Sequence, residues 1–147
     1  MKTYTRNKRT LKENEIFVFG SNTEGRHGKG AALQAKKNFG AINGQARGRQ
    51  GQSYAIVTKD LTKDEHPSRT PDQIRKEILQ LYSYAAENPE LTFYVAYNCS
   101  KELLNGYAVE EMAKMFTGFR NLTIPKNMVF QKDFALLMHE ANTSSLF

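Results

Sequence analysis

Four glycines, Gly20, Gly25, Gly28 and Gly30, punctuate a segment that reads EIFVFGSNTEGRHGKGAALQAKKNFG. Glycine has no Cβ, so it takes positive φ cheaply and lets the backbone approach another group closely. A helix that starts behind such a turn presents unpaired N–H groups at the positive end of its dipole. Turn and helix start together form a cradle for an anion, most often a phosphate. Gly25, Gly28, Gly30 and Ala31 supply its backbone, and Arg26 and Lys29 supply positive charge. His27 lies in the turn and is the candidate proton carrier, because imidazole titrates near neutrality. A packing or helix-capping histidine is the competing reading of the same residue. Lys59, just beyond a second apolar run, is a candidate phosphate contact, and Asp60 beside it reads as a loop-stabilising partner.

Two better-known phosphate motifs are excluded. A nucleotide triphosphatase loop needs a glycine where Thr23 stands and Ser or Thr where Gly30 stands. The dinucleotide fingerprint needs the opposite glycine spacing and an acidic residue closing a second strand.

The elements that must position these residues follow from the pattern of apolar positions. Glu15–Phe19 predicts a strand buried on both faces, and Gly30–Phe39 a helix closed by Gly40. The segment 41–52 reads as a polar loop. Ser53–Thr58 predicts the next strand, and Pro71–Glu87 a helix with Thr70 as N-cap and one apolar stripe. Leu91–Tyr97 predicts a strand rich in aromatic and β-branched residues, with Tyr94 and Tyr97 as core. The segment 98–106 is a polar loop, 108–116 an amphipathic helix, 127–130 a short strand and 132–141 a closing helix. Strands alternating with helices predict an α/β domain, three layers α/β/α around a mainly parallel mixed sheet. The loops 20–30 and 98–107 both follow strands and precede helices, so both are expected at the carboxyl edge of the sheet, where such folds bind ligands.

Here the residues resemble a family. Strand, FGSN, a GRHGKGAA turn opening a small-residue helix, then GQSYAIVTKD and a later loop ending Asn105-Gly106-Tyr107 are similar to the macro domain. The closer likeness is to a small macro-like group of bacteria and phages, over residues 15–135. The resemblance implies a module that binds ADP-ribose or a related phosphorylated nucleotide. It assigns Asn22, after Gly20 and Ser21, to the distal ribose, and the glycine-rich turn to the diphosphate. It makes Asn98–Tyr107 the second phosphate loop, with Asn98, Asn105, Gly106 and Tyr107 as contacts. Two departures stand out: Arg26-His27-Gly28-Lys29-Gly30 replaces a triple glycine, and Ser100, Lys101, Glu102 and Leu103 replace other glycines. Catalysis stays open. Hydrolysis of a terminal phosphate or of an ADP-ribosyl linkage would use Asn22 and His27, whereas binding without turnover would need Asn22 only as a ribose contact.

Composition bounds the alternatives. A chain of 147 residues with 39% hydrophobic and 24% charged residues fits one globular domain. No run reaches membrane-spanning length, a single cysteine, Cys99, suits a reducing cytoplasm, and too few thiol and imidazole groups exist for a zinc site. No cofactor is expected. Residues 1–51 carry 11 Lys/Arg against 3 Asp/Glu, whereas residues 52–147 carry 10 against 12. Residues 1–14 therefore read as a basic arm before a single domain at 15–147. The arm, with Arg47 and Arg49, supports the alternative of a module that contacts nucleic acid weakly. An interaction with a host protein is the third reading.

Overall fold

A computed structural model of the chain describes residues 1–100 and 102–144; Lys101 and residues 145–147 lie outside the described residues. The strands are β1 (Lys2–Tyr4), β2 (Glu15–Asn22), β3 (Gly48–Gln50), β4 (Ser53–Lys59), β5 (Thr92–Val95) and β6 (Met128–Gln131). The helices are α1 (Gly30–Asn38), α2 (Pro71–Glu87), α3 (Val109–Met115) and α4 (Lys132–Ser144). One sheet has the order β1-β6-β5-β2-β4-β3. Every pairing is parallel except β3 with β4.

The alternation of side chains along β2 divides the molecule into layers. Ile16 and Val18 face a cluster built by α2, α3 and α4. Phe17 and Phe19 face the opposite way, onto Ala32, Ala35 and Phe39 of α1 and its end. Sheet strands buried on both faces read as continuous apolar runs, which is why β2 and β4 are the plainest strands in the sequence. The start of α2 is closed by its own residues. Thr70 accepts from the Gln73 amide while the Gln73 side chain accepts from the Thr70 amide, and Pro71 occupies the first turn.

Two strands depart from the expected pattern. β3 lies within the segment read as a loop, and β1 within the residues read as a separate arm. The first residues thus add a strand to the edge of the sheet. β1 pairs with β6, and the Tyr4 hydroxyl donates to Val95 O at 2.6 Å. Farther along, Lys8 Nζ lies 3.1 Å from both Glu15 oxygens and 4.7 Å over the Tyr94 ring. Gln34 of α1 donates to Lys8 O at 3.0 Å, and Leu11 joins the α1 cluster.

Glu15 anchors this arrangement with its carboxylate almost wholly covered. Burial alone would raise its pKa, but the Lys12 amide, the Tyr94 hydroxyl and the Lys8 ammonium outweigh that and hold it below the usual value. A depressed native pKa contributes stability above the unfolded pKa, and that contribution is lost as pH falls through the native one. Urea titrations from neutral to acid pH should therefore show wild type losing stability more steeply than Glu15→Gln. Parallel losses would show that Glu15 adds nothing to acid sensitivity.

Candidate functional site

The chain leaves β2 for α1 on one face and reaches β4 on one side, whereas it leaves β5 for α3 on the other face and reaches β6 on the other side. β2 and β5 are neighbours, so their outgoing loops part and open a crevice at the carboxyl edge. A cleft of about 340 Å³ lies there. Gly20, Ser21, Asn22, Arg26, Gly28, Lys29, Gly30 and Ala31 line it from the first loop. Lys59 lines it from the end of β4, and Asn98 and Asn105 from the second loop. The two loops meet closely: a Cβ built on Gly30 would lie 3.5 Å from Leu104 Cδ1.

Local chemistry shapes the first wall. Asn22 accepts from the Arg26 amide at 2.9 Å and donates to Arg26 O at 2.8 Å, closing the turn on itself. The Thr23 amide donates to Lys59 O at 3.0 Å and ties the turn to β4. Gly30 opens α1 at φ +57°. The first intrahelical bond runs from the Leu33 amide to Lys29 O at 3.2 Å, so the amides of Gly30, Ala31 and Ala32 precede the ladder. Lys29 gives no side-chain cap and the first turn holds no acid. Among the described residues, the cleft is thus bordered by an uncapped helix start together with Arg26, Lys29 and Lys59, against the single carboxylate of Glu102. Arg26 also meets Glu24 at 3.3 Å, an exposed pair of little energetic weight.

Several expected contacts lie elsewhere. His27 is 1% exposed, and its ring stands edge-on to Phe19. Its Nε2 lies 3.2 Å from both Gln45 O and Gln50 Oε1. Two acceptors assign the ring proton to Nε2, and His27 does not border the cleft. The proton-carrier role is therefore withdrawn: the loop 41–50 folds beneath the turn and encloses the imidazole. Asn22 borders the cleft, but its amide is committed to Arg26 and its first task is holding the turn. Gly25 is close to Gln45 backbone, not to the cleft. Gly106 packs against the His66–Pro67 backbone, and the Tyr107 hydroxyl donates to Arg69 O, so both tie the second loop to the segment 60–69. Arg47 pairs with buried Glu77 at 3.3 Å, and Arg49 donates to Gly51 O and the Tyr84 hydroxyl. Neither arginine borders the cleft.

Sequence reasoning missed Thr58, Ala96, Tyr97 and Leu104, which join Ala32, Glu102 and Leu103 in the lining. Thr58, Ala96 and Tyr97 sit at the ends of β4 and β5, a signal that the carboxyl-edge rule supplies once the strands are placed. Among the described residues, no group of three or more His, Cys, Asp or Glu side chains could hold a metal ion, and no helix is long and apolar enough to cross a membrane. No family model, curated protein or solved structure matches this chain.

Proposed function

We propose that this chain binds an ADP-ribose-type nucleotide in the carboxyl-edge cleft, with main-chain amides at the start of α1 holding its diphosphate. The observation that carries this reading is the uncapped, acid-free start of α1 on the cleft wall, facing the second loop. An anion there takes the place of the missing cap. Arg26, Lys29 and Lys59 add attraction, and the motif resemblance names the nucleotide. Hydrolysis of a terminal phosphate or of an ADP-ribosyl linkage is the enzymatic form of the reading. With His27 enclosed, it would depend on a water positioned by the two loops and not on an imidazole base. Calorimetric titration with ADP-ribose, its 1″-phosphate, NAD and AMP tests the proposal, and ADP-ribose is expected to give saturable heat. Silence from all four ligands removes it. Release of phosphate from the 1″-phosphate separates an enzyme from a reader.

One observation favours a second reading. Arg6, Arg9 and Lys12 are exposed, as are Lys36 and Lys37 of α1, and the Gln34–Lys8 bond holds these two segments side by side. A polyanion such as nucleic acid fits that surface. Its affinity would fall steeply with salt, whereas nucleotide binding in the cleft would weaken only modestly.

A further inference from the structure

Tyr97 is 92% buried, its ring stacked on Phe134 and edge-on to Phe116, among the side chains that join the sheet to α3 and α4. Its oxygen points out of that apolar cluster toward Gly20 and Thr58 and is itself fully enclosed. A Cβ built on Gly20 would stand 2.5 Å from it and 3.3 Å from Thr58 Oγ1, and Gly20, Thr58 and Tyr97 all line the cleft. The Thr58 hydroxyl gives its proton to Ser21 O at 3.3 Å. Among the described residues, no group stands in full hydrogen-bonding geometry to the Tyr97 hydroxyl, and Thr58 is its nearest polar neighbour. Burial drives its pKa far upward, a tendency that the nearby Thr58 hydroxyl only moderates, so the phenol keeps its proton and serves as a donor.

A buried hydroxyl without a partner is a cost to folding. Phenylalanine would keep every ring contact at this position and remove that cost. The space for the oxygen is nonetheless kept open, because any side chain at Gly20 would collide with it. We propose that the Tyr97 hydroxyl is the floor contact of the cleft and donates a hydrogen bond to a phosphoryl oxygen of the bound guest. The inference rests on the nucleotide reading of the cleft and extends it to a residue that the motif resemblance does not assign. A narrow, projecting oxygen reaches a floor enclosed by Gly20 and Thr58, whereas the flat edge of a base does not. Lys59 follows Thr58 directly and the α1 start borders the same cleft, so an ionised acceptor is favoured there, and hydrogen bonds to ionised acceptors are the stronger kind.

The test is Tyr97→Phe, titrated calorimetrically with ADP-ribose and with inorganic pyrophosphate, alongside thermal unfolding of the free protein. Both probes should bind roughly 10- to 100-fold more weakly to the variant than to wild type. The unfolding midpoint of the free variant should stay level or rise, the opposite of what a hydroxyl holding the fold together would give. Equal affinities overturn the proposal, as does a lowered midpoint. A loss confined to ADP-ribose overturns the phosphoryl assignment in favour of a sugar oxygen. Wild type silent to both probes removes the nucleotide reading and this inference with it. Wild type that binds beside an indifferent variant removes the role of Tyr97 alone.

Discussion

Gly28→Val should abolish nucleotide binding, a loss of roughly 100-fold or more, while leaving the protein as stable as wild type. A Cβ at Gly28 meets nothing within 4 Å, and its φ lies outside the left-handed region, so the fold accepts a side chain there. Gly28 lines the cleft. A branched side chain would stand where the guest must pass to reach the α1 amides, and a displacement of even an ångström is costly in such a cradle. Substitutions that disturb no packing generally change stability by about 0.5 kcal/mol or less. Calorimetry and thermal unfolding on the same preparation check both halves. Binding that survives at near wild-type affinity would place the guest away from this wall.

Gly25→Ala, three residues earlier, should have the reverse profile, with a loss of stability of about 3 kcal/mol. Gly25 sits at φ +66°, and an added Cβ would lie 2.7 Å from both Gln45 N and Gly44 C. A non-glycine residue in the left-handed region costs about 1–2 kcal/mol, and forcing packed atoms apart commonly adds about 1–3 kcal/mol. The displaced backbone also carries the Gly44 amide, which donates to Gly25 O at 2.9 Å, and the Gln45 carbonyl that meets His27. A chain of this size should lose about 10 °C in its unfolding midpoint. A midpoint within a degree or two of wild type would show that the loops 22–27 and 42–45 adjust independently.

The contrast between these neighbouring glycines marks where sequence reading stops. Glycine spacing announces close approach, but the approached group is named only by the fold. Gly28 and Gly30 open onto the cleft, whereas Gly25 and Gly106 make room for the protein's own backbone at Gln45 and Pro67. His27 has the same sequence neighbours whether it points into the cleft or away. Gln45 and Gln50, from a later loop, are what enclose it. The apolar runs of β2, β4 and α2 were legible because burial imposes their periodicity. The three-residue edge strands β1 and β3 were not, since they join the sheet through backbone bonds and fully bury only the polar side chain of Gln50. Tyr97 was legible as core through its ring, while the isolation of its hydroxyl depends on Gly20 and Thr58 from two other strands. The basic arm hid its role for a similar reason: the Lys8–Glu15 contact that docks it is tertiary.

The central claim is that backbone amides, supported by but not replaced by side-chain charge, grip an anionic guest at the start of α1. Amide chemical shifts followed by NMR during titration with ADP-ribose test it most directly. Saturable shifts should concentrate on Gly28, Gly30, Ala31 and Ala32, with a second group in the loop 96–105. Shifts confined to Arg6, Arg9, Lys12, Lys36 and Lys37, or none at the start of α1 at saturation, would contradict the account.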